Sequence, residues 1–282
     1  MNPWLERRVI NFAHQGGSFE GPSSTLAAIE GAIESGANAI ELDVHATRDG
    51  VLVVCHDETV DRTTDGTGEI ASLDLADVQR LDNAYWFIPG DTVTPGRPPG
   101  DYVWRGRAPR DRRFGVATLD EVLANFPDVV VNLDIKRTEP EVAPYETALA
   151  ELLRRHRASD RVIVASFHDA AIRRFRGLAP GVATAAATDE ALRWYGSLAG
   201  GDPWVPPAQV LQIPIDLGDQ RVVTPDLVAA AHAHGLAVHV WTANDDTAME
   251  EMLDADVDGV ISDRPSMLTE VLERRGAAWR AA

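Results

Sequence analysis

The stretch TLAAIEGAIESGANAIELDV, residues 25–44, contains the unit from which the fold is inferred. Residues 25–34 place apolar side chains at helical spacing, and the run 39–42 is typical of a short buried strand. When a helix and a short buried strand alternate along a chain, the pattern predicts a parallel sheet with helices packed against it. This unit therefore indicates an α/β fold.

The same pattern recurs over most of the chain, because eight short runs read as buried strands and helical patterns follow most of them. The predicted strands cover residues 9–12, 39–42, 129–135, 162–165, 182–186, 210–213, 236–240 and 259–261. The predicted helices cover residues 25–34, 119–125, 146–155, 170–176, 189–195, 225–233, 247–253 and 267–274. Eight strand–helix units in 282 residues favour a single (β/α)8 barrel of the TIM type over an open doubly wound sheet.

The alternation is interrupted after the second strand region. An extra strand is predicted at residues 51–55, and residues 57–115 are rich in proline, glycine and turn-forming residues. We therefore predict one domain over residues 1–282 with a loop-rich insertion at 57–115. The aromatic run 85–87 in this segment either lines an apolar groove or belongs to a small separate core under the insertion, and we favour the separate core.

The composition argues against several partners and locations. The 26 basic and 44 acidic residues give a formal net charge of −18, which repels nucleic acid and anionic lipid surfaces. No apolar run approaches the ~18 residues that a membrane-spanning helix needs. The first residues lack the pattern of a signal peptide, and the single cysteine, Cys55, cannot form an internal disulfide. We therefore expect a cytoplasmic protein without nucleic-acid partners, and the sequence leaves its oligomeric state open.

Charged side chains gather at two predicted strand ends. Glu41 and Asp43 are two residues apart at the end of the second strand, and Asp134 and Lys136 have the same spacing at the end of the 129–135 strand. Residues i and i+2 of a strand point to the same side, and a barrel carries its active site at the C-terminal strand ends. The Glu41–Asp43 pair therefore favours a divalent cation site over a solvated pair.

The second pair, Asp134 and Lys136, allows two interpretations. The carboxylate could complete the cation site while the ammonium binds an anion, or the two side chains could form a simple ion pair. Lys136 is the only lysine among the 26 basic residues. This indicates that the position requires a compact ammonium and not a guanidinium.

Two of the eight histidines follow predicted strands in similar contexts. His14 comes after the 9–12 strand and His56 after the 51–55 strand. Two imidazoles at strand ends can act as a general acid and a general base near neutral pH, although each taken alone is more typical of a structural histidine.

The remaining candidates are weaker. His45 is expected to be an exposed neighbour of Asp43, while His168 and His239 stay open as site residues. Trp241 ends a predicted strand and belongs either to the core or to a wall of the site.

The order of these motifs resembles that of the glycerophosphodiester phosphodiesterase family, and the resemblance covers nearly the whole chain. The matching segments are HQGG (14–17), AIELDV (39–44), TRDG (47–50), VVCHD (53–57), DRTTDGTG (61–68), NLDIK (132–136), VWTAN (240–244) and DRP (263–265).

The resemblance implies a β/α-barrel enzyme that hydrolyses glycerophosphodiesters to a glycerol phosphate and an alcohol with the help of a divalent cation, Mg²⁺ or Ca²⁺. It implies an acid–base pair, a metal-binding set and a set of substrate contacts. These are, in that order, His14 and His56; Glu41, Asp43 and Asp134; and Gln15, Lys136 and Trp241.

Three features depart from the family's usual pattern. Gln15 stands where the family usually has arginine, so a neutral amide replaces a bidentate phosphate contact. Residues 22–25 read Pro-Ser-Ser-Thr in place of Pro-Glu-Asn-Thr, and Asp134 stands in place of a glutamate. Gln15 also resembles a subgroup that acts on lysophospholipids. Lysophospholipase D activity, a related phospholipase activity, or a weakened barrel that only binds phosphodiesters therefore stay open as alternatives.

Overall fold

The computed structural model describes residues 2–90, 93, 95–200 and 203–277. The strands in these residues are β1 (Ile10–His14), β2 (Ala39–Ala46), β3 (Leu52–Val54), β4 (Val130–Ile135), β5 (Val162–Ala165), β6 (Ala183–Thr184), β7 (Val210–Pro214), β8 (Asp216–Leu217), β9 (Gln220–Arg221), β10 (Ala237–Trp241) and β11 (Gly259–Ser262). The α-helices are α1 (Leu26–Glu34), α2 (Leu75–Val78), α3 (Leu119–Asn125), α4 (Glu146–Arg155), α5 (Asp169–Leu178), α6 (Thr188–Ser197), α7 (Pro225–Ala233), α8 (Asp246–Asp254) and α9 (Pro265–Arg275).

Eight parallel strands form a nearly closed barrel. Hydrogen-bonded neighbours follow the order β6-β5-β4-β2-β1-β11-β10-β7. A parallel bridge between Ala185 and Val210 joins β6 to β7, the two ends of this sheet. The predicted (β/α)8 barrel is therefore confirmed, and each of the eight predicted barrel strands corresponds to an observed one.

The lower half of the barrel interior is apolar. The short helix at residues 3–5 brings Trp4 into a cluster with inward-facing strand residues. Asn2 anchors this segment, because its Nδ2 donates to the carbonyl oxygens of Gln209 (2.7 Å) and Gly235 (2.9 Å), which precede β7 and β10. Trp4 thus lies at the N-terminal end of the strands. The other buried members of the cluster are Ile10, Phe12, Ala39, Val130, Ile163, Val210, Ala237 and Ile261.

Two larger clusters fill the space between the outer face of the barrel and the helices. Helix α1 shows how the sequence builds this layer. The Thr25 side chain accepts a hydrogen bond from the backbone N–H of Ala28 and so starts the helix. Leu26 and Ile29 then pack against the sheet side of the cluster. Burial of one such side chain is worth roughly 1.5–3 kcal/mol.

Three local features differ from the sequence-based expectations. Strand β2 continues past the predicted end at residue 42 as far as Ala46, because Val44–Ala46 pair antiparallel with β3. Asp43, one residue past the predicted bounds, therefore lies within the strand, as Glu41 does. The two-stranded hairpin of β8 and β9 and the short helix α2 have no counterpart in the sequence prediction.

Residues 57–115 contain α2 and short 3₁₀ helices but no strand of the barrel, among the positions described there. The 85–87 run packs within this segment. Phe87 stacks on Trp104 with ring centroids 5.2 Å apart, and Trp104 contacts the edge of Phe114. None of these three side chains lines a cavity described below. The aromatic run thus belongs to a local core, whereas the division into one domain with an insertion stays a prediction.

Cys55 is buried, and burial raises the pKa of its thiol to about 12, as expected for an inert structural cysteine. Among the helices in the described ranges, none has both the length and the apolar composition needed to cross a bilayer.

His239 is a buried polar exception in the barrel interior. Its ring centroid lies 4.9 Å from that of Phe12 and 6.5 Å from that of Trp4. A Cβ at Gly259 would come within 2.8 Å of His239 Cδ2, so the ring fits only against a glycine. Neither ring nitrogen has a hydrogen-bond partner among the described residues. Burial lowers the pKa of His239 to about 3, so the folded protein keeps this ring neutral.

This burial predicts an acid-sensitive contribution to stability. The unfolded chain binds a proton at His239 near its ordinary pKa of 6.5, whereas the folded protein does so only near 3. Protonation of His239 therefore does not affect the free energy of unfolding above pH 6.5. Below pH 6.5 it lowers the free energy of unfolding, by up to roughly 1.4 kcal/mol per pH unit. His239→Leu should reduce the acid dependence of the urea midpoint between pH 7 and pH 5. Parallel midpoint curves for the two proteins would contradict this.

Candidate active site

A cavity of about 620 Å³ opens at the C-terminal mouth of the barrel. It brings together residues from β1, β2, β4 and β10 and from the segment after β3. Seven of the eight residues predicted for the site line it: His14, Glu41, Asp43, His56, Asp134, Lys136 and Trp241. The eighth, Gln15, lines a smaller neighbouring cavity of about 250 Å³. Trp241 was predicted to belong either to the core or to a wall of the site. It does both, since it lines the cavity and its ring packs against the interior cluster.

Three carboxyl groups share one face of adjacent strands. Asp43 on β2 lies beside Asp134 on β4 in the parallel register, and Glu41 is two residues before Asp43. All three side chains are buried. Burial and the charge of Asp43 raise the pKa of Glu41 and of Asp134 above the usual carboxyl range. A positive charge is therefore required to keep the cluster ionised.

Lys136 supplies one such charge. Its Nζ lies 3.1 Å from Asp43 Oδ1 and 3.4 Å from Asp134 Oδ2. Burial opposes the charge of the ammonium, but the carboxylates of Asp43 and Asp134 outweigh burial and raise the pKa of Lys136 above its usual range. The ion pair considered for Asp134 and Lys136 is thus present, and Asp43 takes part in it.

The donor set also fits a hard divalent cation. Asp43 Oδ2 and Asp134 Oδ1 are buried and have no hydrogen-bond partner among the described residues. Buried carboxylate oxygens without partners are the ligands that Mg²⁺ and Ca²⁺ prefer. Within the described part of the chain, no three acidic, histidine or cysteine side chains already converge as ligands of one ion. The Lys136 ammonium lies against the other oxygen of each carboxylate, Asp43 Oδ1 and Asp134 Oδ2.

His14 is held by a hydrogen-bonded network. Its Nδ1 lies 2.6 Å from Asp263 Oδ1, and Ser18 Oγ donates to the same carboxylate oxygen. Asn244 Nδ2 donates to Asp263 Oδ2 at 2.6 Å. Burial opposes protonation of His14, but the Asp263 hydrogen bond and the charge of Glu41 outweigh it and raise the pKa of His14 to about 9. The surroundings of the ring therefore favour its protonated form, and its Nε2 lies 3.3 Å from Gln15 Nε2 and 3.7 Å from Glu41 Oε2.

His56 has a second carboxylate partner of the same kind. Its Nδ1 lies 2.7 Å from Asp57 Oδ1, and Arg62 Nε donates to Asp57 Oδ2 at 2.6 Å. The hydrogen bond with His56 lowers the pKa of Asp57 below its usual range. The His14 and His56 ring centroids are 6.4 Å apart with nearly perpendicular planes. Both rings thus line one cavity, each with its Nδ1 beside a carboxylate.

Gln15 lines the smaller cavity, and its Nε2 lies 3.3 Å from His14 Nε2. Its Oε1 accepts a hydrogen bond from Ser23 Oγ at 2.6 Å, and its backbone N–H donates to Glu41 Oε2 at 3.3 Å. Its φ of +52° lies in the left-handed region, which is uncommon for a residue other than glycine. The backbone of Gln15 thus orients Glu41, and its side chain lines the smaller cavity together with Arg62.

The expected exposure of His45 is wrong. His45 is buried, because β2 continues into the ribbon with β3, and its Nε2 lies 3.4 Å from the carbonyl oxygen of His56. Burial lowers the pKa of His45 to about 4, so the ring stays neutral beneath the site. His168, left open above, contacts the carbonyl oxygen of Lys136 through Nε2 at 3.1 Å.

Four residues that position the two histidines were not predicted from the sequence: Asp57, Arg62, Asn244 and Asp263. A signal was present, because all four lie inside the motifs that carry the resemblance. Their roles depend on which strand ends meet in space, and no spacing along the chain gives that information.

Fold and site together define a β/α-barrel enzyme whose polar centre lies at the C-terminal mouth, where this fold class carries its active sites. The chain belongs to the glycerophosphoryl diester phosphodiesterase family, whose model matches residues 14–267. The protein is accordingly a phosphoric diester hydrolase.

Individual relatives agree with this assignment. The chain is 33% identical to a probable glycerophosphodiester phosphodiesterase 2 of Mycobacterium tuberculosis, with 97% of this chain and 94% of the relative covered. It is 31% identical to a glycerophosphodiester phosphodiesterase of Caldanaerobacter subterraneus, over 95% of this chain and all of the relative. A solved glycerophosphodiester phosphodiesterase from Agrobacterium tumefaciens superposes with a TM-score of 0.69 at 25% identity, covering 93% of this chain and 99% of the other.

The network around His14 predicts that Asp263 is needed to position the ring. Asp263→Asn keeps the size of the side chain but removes the charge that holds the Nδ1 proton. We expect kcat to fall by roughly 10²–10⁴-fold, because the tautomer and orientation of the imidazole are no longer fixed. Steady-state hydrolysis of a phosphodiester measures the loss.

Asp256→Asn is a matched control for this change. Its side chain is 69% exposed, and its φ of +69° suits asparagine. An equal loss of kcat in both variants would contradict the positioning role of Asp263.

Proposed function

We propose that this protein hydrolyses glycerophosphodiesters to glycerol phosphate and an alcohol, with a divalent cation bound by Glu41, Asp43 and Asp134. The observation that carries the proposal is the meeting of two carboxylate-supported imidazoles with three buried carboxyl groups in one cavity. The names of the M. tuberculosis and C. subterraneus relatives support the same substrate class.

Hydrolysis of a diester breaks one P–O bond and adds the elements of water across it. The hydroxyl becomes bonded to phosphorus and the proton ends on the departing alcohol. One side chain must therefore accept a proton from the nucleophile and another must give one to the leaving oxygen. We assign His14 as the donor, because Asp263 beside it accepts its other hydrogen bonds from the neutral Ser18 and Asn244, whereas Asp57 beside His56 is shared with the Arg62 guanidinium. His56 is then the acceptor. Asp263 and Asp57 keep Nε2 of the two rings available for these transfers.

A divalent cation, when bound to the three carboxylates, would neutralise the charge that develops on the phosphoryl oxygens. Lys136 acts at the same place with its own ammonium. Its Nζ lies 3.1 Å from Asp43 and 3.4 Å from Asp134, so a phosphoryl oxygen bound beside these carboxylates would be within reach of the ammonium. Trp241 on β10 forms a wall of the cavity beside the substrate.

Hydrolysis should depend on an added divalent ion. Protein stripped with chelator should lose activity on glycerophosphocholine and regain it with Mg²⁺, Ca²⁺ or Mn²⁺, with release of choline as the measurement. Glu41→Gln removes one ligand charge and should raise the ion concentration needed for half-maximal activity. Calorimetric titration of the ion into the stripped protein gives an independent measurement. Full turnover in excess chelator would refute the metal-binding assignment.

The two histidines should respond differently to the leaving group. Both His14→Ala and His56→Ala should lower kcat on glycerophosphocholine by roughly 10²–10⁴-fold. For a diester that releases 4-nitrophenolate, which departs without a proton, the loss in His14→Ala should be much smaller, while the loss in His56→Ala should persist. The opposite pattern would exchange the two roles. Wild-type turnover in either variant would remove that histidine from the mechanism.

A barrel that binds diesters without hydrolysing them is the alternative that these measurements separate from an enzyme. It predicts binding of glycerophosphocholine with no choline release under any ion. The cytoplasmic location stays a prediction.

A further inference from the structure

Two amide side chains form a hydrogen bond across the barrel interior, below the charged mouth. Gln212 on β7 donates from Nε2 to Oδ1 of Asn132 on β4 at 2.7 Å, and we call this pair the amide bridge. The two strands are not neighbours, since β5 and β6 lie between them. Both side chains line the main cavity, and Asn132 is only 2% exposed. The proposed hydrolysis gives neither residue a role.

The level of the amide bridge in the barrel follows from the alternation of side chains along a strand. On β4, Val130 belongs to the apolar interior cluster and Asp134 to the carboxylate group, so Asn132 lies between these two levels. On β7, Val210 belongs to the same apolar cluster, and Gln212 lies one step above it. The amide bridge is therefore a polar floor of the cavity, about 6.6 Å along the strand below Asp134.

The amide bridge leaves hydrogen-bonding groups of both side chains unused. Among the described residues, Gln212 Oε1 and Asn132 Nδ2 have no hydrogen-bond partner. Unpartnered amide groups inside a protein are costly, and two apolar side chains would fill the same space without that cost. A free acceptor beside a free donor group complements a hydroxyl, which donates one hydrogen bond and accepts another. The amide bridge thus fits a neutral ligand group that carries hydroxyls.

Other neutral polar side chains of the lining are less suited to this role. The Oγ of Ser166 is occupied, because it donates to the carbonyl oxygen of Ile135 at 2.6 Å and accepts from the His168 N–H at 3.1 Å. Gln220 lies on β9, where it is exposed. The amide bridge combines burial, two unused groups and a place on the strand that carries Asp134.

We propose that the amide bridge binds the free hydroxyls of the glycerol arm of the substrate, so that Gln212 and Asn132 select diesters whose glycerol is unesterified. This inference rests on the proposed function and adds the residues that recognise the glycerol arm. A phosphoryl group beside Asp134 and Lys136 has the amide bridge below it, within reach of a three-carbon arm. The other alcohol of the diester then points away from the floor.

The test compares glycerophosphocholine with propylphosphocholine, a diester that lacks both glycerol hydroxyls, and measures choline release in the presence of the activating ion. Gln212→Met removes the amide and keeps the length of the side chain. We expect kcat/KM on glycerophosphocholine to fall roughly tenfold, the factor that a neutral hydrogen bond to a substrate contributes. The value on propylphosphocholine should stay unchanged. The loss should appear in KM with kcat retained, because the hydroxyls are bound equally in the ground state and the transition state.

Gln220→Met is the matched control, since Gln220 lines the same cavity from the exposed β8–β9 hairpin. It should leave the ratio of the two kcat/KM values unchanged. Calorimetric titration of the activating ion into stripped protein should give the same affinity for the wild type and for Gln212→Met. This measurement separates the loss of a hydroxyl contact from damage to the carboxylates beside Asn132.

A binding measurement tests the amide bridge without turnover. With the ion present, the wild type should bind glycerol phosphate roughly tenfold more tightly than propyl phosphate. Gln212→Met should bind the two phosphates alike.

Three results would overturn the proposal. If glycerophosphocholine is hydrolysed but Gln212→Met leaves the ratio of the two kcat/KM values unchanged, the amide bridge does not recognise the glycerol arm and the proposed function stands. An equal loss on both diesters would assign Gln212 to support of the catalytic end and not to the hydroxyls. Equal binding of glycerol phosphate and propyl phosphate to the wild type would also exclude the hydroxyl site.

Failure of the proposed function gives a different result. The wild type would then release no choline from either diester under any ion. Tighter binding of glycerol phosphate, lost in Gln212→Met, would in that case still support the hydroxyl site.

Discussion

The repulsion among the carboxyl groups of Glu41, Asp43 and Asp134 is the constraint on which the upper half of the barrel depends. These groups are buried on neighbouring strands, where solvent screens their charges less than at the surface. The Lys136 ammonium and the protonated His14 ring offset part of this charge. The same arrangement makes the mouth receptive to a divalent cation, because two carboxylate oxygens keep no partner among the described residues.

Lys136 offsets the charge of the carboxylate cluster. Its ammonium is paired with Asp43 and Asp134 and so stabilises the two buried carboxylates in the structure without an ion. In the proposed mechanism the same ammonium would also contact the phosphate. A lysine suits this position better than an arginine, since its compact charge on a flexible stem can contact two carboxylates without the fixed geometry of a guanidinium.

The sequence predicted the barrel and most of the site because both follow from short-range patterns. Period-two alternation placed Glu41 with Asp43 and Asp134 with Lys136, and the structure has both pairs on one interior face. The pattern could not show where β2 ends, since its last residues are stabilised by pairing with β3. That long-range pairing also buried His45, contrary to expectation. The partners Asp263 and Asp57 required the three-dimensional arrangement of strand ends. The hairpin of β8 and β9 was missed although Gly218 and Asp219 form a typical two-residue turn between its strands.

The closure of the barrel has a mechanical consequence. Between β6 and β7 the sheet is joined by the single bridge of Ala185 and Val210, with hydrogen bonds from Ala186 N–H to Val210 and from Gln209 N–H to Thr184. The long ladders elsewhere, such as the six residue pairs that join β2 to β4, resist separation far more strongly. The barrel wall is thus held by the fewest pairings between β6 and β7. Ala185 and Ala186, which lie at this junction, also line the main cavity. Local opening of the barrel wall therefore costs the fewest backbone hydrogen bonds between β6 and β7, and the most on the carboxylate side.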